Sequence, residues 1–131
     1  MTATTGVIPI PDGDEALAQL RVLGAPMALW AVNNLRRALP IERIVVVTRD
    51  DAIGRMARLN GVRVLDAAPD GAVIRHDLAR PFLSRAALVR ALDAGAEDAH
   101  AHADTPIEGL RVGENADAAL VEAVARGLAP D

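Results

Sequence analysis

Short apolar runs alternate with helix-like amphipathic segments along this chain of 131 residues, and that alternation predicts an α/β fold with a mostly parallel sheet wrapped by helices on both faces. Two observations narrow it. Ile41-Glu42-Arg43-Ile44-Val45-Val46-Val47-Thr48 carries an Ile/Val run suited to a central parallel strand. The length supports one core and leaves no room for a second domain, so residues 1–131 are read as a single small, Rossmann-like, three-layer unit.

The elements follow in order. Gly6-Val7-Ile8-Pro9-Ile10-Pro11 reads as a first strand, kept short by its prolines. Asp12-Gly13-Asp14 makes a turn, and Asp12 or Asp14 can cap a helix through Ala16, Leu17 and Leu20. Gly24-Ala25-Pro26 breaks it. A second helix starts at Pro26 and carries Met27, Leu29, Trp30, Val32, Leu35 and Leu39, with Trp30 read as a core or interface residue. Pro40 ends that helix before the central strand. Asp50 and Asp51 cap a helix over Ala52–Leu59, which Asn60-Gly61 stops, and Val62–Leu65 is a third strand. Ser84 caps a helix bearing Ala87, Leu88, Ala91 and Leu92. The last helix spans Ala116–Arg126, with Leu120, Val121 and Val124 inward.

Composition sets limits on the chemistry. With 51% hydrophobic residues the chain is globular, and Trp30 and Phe82 are its only aromatics, so Ala, Val and Leu are expected to build the core. A net charge of -4 gives no general attraction for a phosphate backbone, which argues against nucleic acid as a partner. All 14 basic residues are arginine, so no lysine can hold a phosphate or form a Schiff base. With no cysteine, disulfides, thiolate nucleophiles and zinc-cysteine sites are excluded. Met1–Thr5 is not patterned as a signal peptide and no apolar run approaches the ~20 residues of a membrane helix, so a cytoplasmic protein is expected, as a monomer or homodimer.

One stretch changes character halfway. Ala72-Val73-Ile74 suits a buried strand, and charge begins at Arg75, so His76, Asp77 and Arg80 would project from the carboxyl edge of the sheet, where open α/β sheets collect ligands. The same residues admit a plainer reading, in which Asp77 pairs with Arg80 across a turn that Pro81 rigidifies.

His76-Asp77-Leu78-Ala79-Arg80-Pro81-Phe82 resembles the H-D-A-A-R-P-F segment of the 2-C-methyl-D-erythritol 4-phosphate cytidylyltransferases of isoprenoid biosynthesis, differing only at Leu78. Val7-Ile8-Pro9 is similar to that family's opening strand, and Leu23-Gly24-Ala25-Pro26-Met27 to its L-G-G-K-P-V turn. Ile41–Thr48 is similar to its E-I-V-V-V strand, Asp104-Thr105 to a later D-T, Leu110-Arg111-Val112 to I-K-I, and Asp117–Leu120 to the E-D-L opening its last helix. The resemblance implies a trimmed nucleotide-diphospho-sugar-transferase-like fold. It also implies a nucleotide or substrate site formed by His76, Asp77, Arg80, Arg21 and Arg111, with Asp77 beside CTP and holding Mg2+.

The departures fall on the chemistry. Where the family has a glycine-rich A-A-G-x-G-x-R-M loop for the triphosphate, Ile10-Pro11-Asp12-Gly13-Asp14-Glu15-Ala16 has one glycine, no basic residue and three carboxylates. No room remains between Thr48 and His76 for the family's base-reading segment. The expectation is therefore a reduced cytidylyltransferase-like protein without efficient nucleotidyl transfer, serving as a weak binder of a nucleotide or phosphorylated metabolite or as a regulatory partner. The alternative is an active magnesium-dependent transferase that uses Asp77 with Arg21, Arg80 or Arg111.

A separate motif lies outside the resemblance. Asp98-Ala99-His100-Ala101-His102-Ala103-Asp104 alternates with period two, which on a strand would gather Asp98, His100, His102 and Asp104 on one face. Such a face could take a divalent metal; otherwise the stretch is a solvated edge strand or loop.

Overall fold

Ile44-Val45-Val46-Val47 becomes an interior strand, as its apolar run requires. In the computed structural model, which describes residues 3–128, the strands are β1 (Thr5–Pro9), β2 (Arg21–Val22), β3 (Ala25–Pro26), β4 (Ile44–Val47), β5 (Arg63–Leu65) and β6 (Val73–Arg75). The helices are α1 (Glu15–Gln19), α2 (Met27–Arg36), α3 (Asp51–Leu59), α4 (Arg85–Asp93) and α5 (Ala118–Leu128). Four strands form one all-parallel sheet in the order β5-β4-β1-β6, flanked by helices in the Rossmann-like, three-layer manner. From β1 the chain steps outward to β4 and β5, then returns to the far side of β1 for β6. That reversal places a topological switch point between the carboxyl ends of β1 and β6.

Local chemistry explains most boundaries. Asp50 Oδ1 accepts the Ile53 N–H at 3.0 Å and Ser84 Oγ accepts the Ala87 N–H at 3.1 Å, so both helices begin at a side-chain cap. Asn60 and Gly61 stop α3, Gly61 at φ +79°. Gly6 lets α2 settle on β1, because a Cβ there would lie 2.9 Å from a Leu39 methyl and 3.1 Å from one of Leu35. The core is richer in isoleucine than the composition suggested: Ile8, Ile44, Ile53 and Ile74 are all fully buried, with Met27 and Leu35 against them.

Several expectations are corrected. Gly24-Ala25-Pro26 does not simply break a helix; it closes a β2–β3 hairpin through Leu23 (φ +50°) and Gly24 (φ +81°), the two left-handed residues of a tight turn. The first helix is only α1, so Leu20 lies past its end, and α2 ends at Arg36, so Leu39 is buried from the following turn. Ile41–Arg43 is a 3-10 turn leading into β4. Helix α5 starts at Ala118, where Asp117 Oδ1 accepts the Leu120 N–H, and buries Val121 and Ala125 one turn apart, which leaves Leu120 44% exposed. Asp98–Asp104 is not a strand: Asp98 makes a single bridge to Arg75, and the chain then turns through Ala99–His102. Among the described residues no helix is long and apolar enough to cross a membrane.

Candidate functional site

The carboxyl ends of β1 and β6 border a cleft of about 570 Å3, lined by Pro9 at the end of β1 with Pro11 beyond it, and by Arg75 at the end of β6 with His76 to Ala79 beyond it. Asp77, two residues past β6, is held on both carboxylate oxygens. Oδ1 accepts the Ala79 N–H at 3.0 Å, an Asx turn that fixes the loop, and Oδ2 pairs with the Arg111 guanidinium. Arg111 arrives on a turn that docks here through the Val112 N–H to the Ala79 carbonyl, and its Nε lies 3.0 Å from Glu114. Asp14, Glu97 and Asp98 also line the cleft, so four carboxylates face two arginines, Arg75 and Arg111.

The loop after β1 has its backbone donors engaged internally. Pro9 and Pro11 have none, the Ile10 N–H goes to the Val47 carbonyl, and the Asp14 N–H goes to Pro11. The Gly13 N–H is taken by the Glu15 carboxylate at 2.8 Å. Between β1 and α1 only the Asp12 N–H remains uncommitted; the further free donors are the first-turn N–H groups of α1, where Asp14 makes no side-chain cap.

The other sequence-predicted residues disperse. His76 is fully buried. Asn34 Nδ2 donates to its Nε2 at 3.1 Å and to the Pro81 carbonyl at 2.9 Å. A carbonyl can only accept, which fixes the amide orientation, so His76 carries its proton on Nδ1 and donates it to the Asp77 carbonyl at 2.9 Å. Burial, then the neighbouring His100, lowers its pKa to about 3, and the ring stays neutral as a structural strut. Arg80 does not pair with Asp77; its Nε donates to the Glu108 carbonyl. Arg21 bonds the Gly24 carbonyl within its own hairpin and does not line the cleft. Of the five, Asp77 and Arg111 are brought into contact.

His100 and His102 part company. His100 is 3% exposed and stacks edge-on against His76 with ring centroids 4.8 Å apart, while His102 faces solvent. His100 Nε2 donates to the Phe82 carbonyl, and burial, then Arg80, lowers its pKa. Among the described residues no three His, Asp or Glu side chains are placed to hold a metal. Magnesium at Asp77 fits poorly, because a cation there would have to displace Arg111 from a carboxylate whose other oxygen is already bonded.

Sequence reasoning missed a second cavity, of about 600 Å3, beside α2. Its apolar wall is led by Trp30 and Phe82, edge-to-face at 5.9 Å, and Trp30 Nε1 donates to the Val22 carbonyl. Asn34, Arg37 and Glu108 also line it. Burial would raise the Glu108 pKa, but hydrogen bonds from Ser84 and Thr105 outweigh it and hold the carboxyl down to about 2. Two signals were present in the sequence. Asn34 sits one helical turn from Trp30 on a buried face, and Thr105-Pro106-Ile107-Glu108 has the T-x-x-E spacing of a capping box. A comparison with protein-family models finds no match to this chain, and a comparison with curated proteins finds none either.

Proposed function

We propose that this chain is a reduced nucleotidyltransferase-like protein, resembling the isoprenoid-pathway cytidylyltransferases, that does not carry out efficient nucleotidyl transfer. It binds a nucleotide or phosphorylated metabolite weakly at the β1–β6 cleft. The observation that carries this reading is the link from β1 to α1, which has two prolines, has its Ile10 and Asp14 N–H groups engaged by backbone carbonyls, and has its Gly13 N–H already holding the carboxylate of Glu15. Phosphoryl chemistry needs fixed donors where charge develops, and an internal anion in that place opposes it. Arg111, paired with Asp77, and Arg75, 3.7 Å from Glu97, are the cations a phosphate meets there, each in competition with a carboxylate.

Thermal-shift titration with CTP, CDP, CMP and inorganic phosphate, with and without magnesium, tests the reading on the wild type and Asp77→Asn. The substitution keeps an oxygen for the Ala79 N–H and removes the charge competing for Arg111. Anion affinity is expected to be weak and independent of magnesium in the wild type, and roughly tenfold tighter in Asp77→Asn, the equivalent of about 1.4 kcal/mol. A magnesium-dependent response to CTP that Asp77→Asn abolishes, or pyrophosphate release from CTP with methylerythritol phosphate, would establish the working transferase instead.

A further inference from the structure

The cavity beside α2 holds two opposite charges that do not meet. The Arg37 Nη1 donates to the Leu83 carbonyl at 3.0 Å, and Glu108 Oε1 accepts the Ser84 N–H at 2.7 Å. Those two groups are the opposite poles of one trans peptide, so the guanidinium and the carboxylate lie on either side of it, roughly 7 Å apart by standard peptide and hydrogen-bond dimensions. Among the described residues neither side chain enters an ion pair, with the other or with anything else. Arg37 keeps most of its five N–H donors unused. Glu108 accepts one further bond, from the Thr105 hydroxyl at 2.9 Å, and each of its oxygens retains a lone pair.

We propose that this cavity binds a small zwitterion, an α-amino acid with an apolar side chain. The ammonium sits on Glu108, the carboxylate on Arg37, and the side chain lies against Trp30, Phe82 and Ile107. Two charge-assisted hydrogen bonds of about 2.8 Å, with the short span between ammonium and carboxylate, bridge a gap of that size when slightly bent. A simple apolar acid would meet Glu108 unpaired, and a simple amine would meet Arg37 unpaired. Only a ligand bearing both charges satisfies both walls. The volume of about 600 Å3 and the aromatic lining suit a small ligand with an apolar body.

Trp30 is the only tryptophan in the chain, so its fluorescence reports on this wall alone. The protein is titrated with L-leucine, L-isoleucine and L-methionine, and with two halves of leucine: isopentylamine, which lacks the carboxylate, and isocaproate, which lacks the ammonium. At least one amino acid is expected to give a saturable response, with each half of leucine about tenfold weaker than leucine itself. Arg37→Met is expected to weaken leucine about tenfold and leave isopentylamine unchanged; Glu108→Gln is expected to weaken leucine and isopentylamine but not isocaproate. If Glu108→Gln does not fold, Arg37→Met with the amine carries the test, since Arg37 is exposed. No saturable response to any of the three amino acids up to about 10 mM, or isocaproate binding as well as leucine, overturns the proposal.

Discussion

The cleft at the ends of β1 and β6 and the cavity beside α2 share a wall, yet they use their polar groups in opposite ways. Asp77 in the cleft is closed on itself by Arg111 and the Ala79 N–H, and the β1 loop turns its donors inward. In the cavity, Arg37 and Glu108 hold opposite charges that no partner neutralises among the described residues. The cleft occupies the position where α/β sheets bind ligands, with its arginines paired internally; the cavity holds an arginine and a glutamate outside any ion pair among the described residues. Position in a fold therefore ranks sites less well than an account of which donors and acceptors remain uncommitted.

The wall between them is Asn34 with His76, and acid should breach it with the largest effect. His76 has a folded pKa of about 3 against an ordinary value of 6.5, so the unfolded chain binds the proton first. Stability is then full above about pH 6.5 and falls as pH drops toward 3, by up to about 5 kcal/mol from this group. His100, also lowered, acts in the same direction. Glu108, held near 2 against 4.5, adds a separate loss below about pH 4.5. Urea midpoints measured down this range should decline from near pH 6.5. A flat profile to pH 4.5 would mean the imidazoles are reached by water and the two regions are not separately walled.

The second effect is on the amide. Asn34→Leu leaves the Pro81 carbonyl and the His76 Nε2 without their donor inside the protein, which should cost about 2–3 kcal/mol in chemical denaturation. Asn33→Leu, on the exposed side of the same helix, should change stability by no more than about 0.5 kcal/mol. Equal effects would show that the wall is held by packing and not by this hydrogen-bonded amide.

Much of the sheet was legible because its signals are local. The Ile/Val run of β4, the Asp50 and Ser84 caps and the Asn60-Gly61 stop each act within a few residues, and each appears where the sequence placed it. The β2–β3 hairpin was hidden because Leu23, a branched apolar residue, takes a left-handed conformation that glycine or asparagine normally signals. The alternation from Asp98 to Asp104 misled because period two marks a strand only where a neighbour supplies a ladder, and here only Arg75 does. The Asp77–Arg111 contact joins residues far apart in sequence, so spacing alone favoured the nearer Arg80 as partner. Glu108 carried a local motif, but its burial came from the later docking of that segment against Ser84.

The smallest expected effect lies in the β1 loop and bears most directly on the contrast. Glu15 is half-buried at the start of α1, and its carboxylate caps the Gly13 N–H near solvent, so Glu15→Ala should cost only about 0.5–1 kcal/mol. It also uncovers one backbone donor and removes one negative charge from the loop. If internal capping is what closes this region to anions, phosphate affinity should rise about twofold to threefold in Glu15→Ala and further when combined with Asp77→Asn, which frees Arg111 nearby. Calorimetric titration with inorganic phosphate measures both. An unchanged affinity in the double variant would mean that the loop is shut by its backbone path through Pro9 and Pro11, and that opening it requires rebuilding the loop rather than removing its carboxylates.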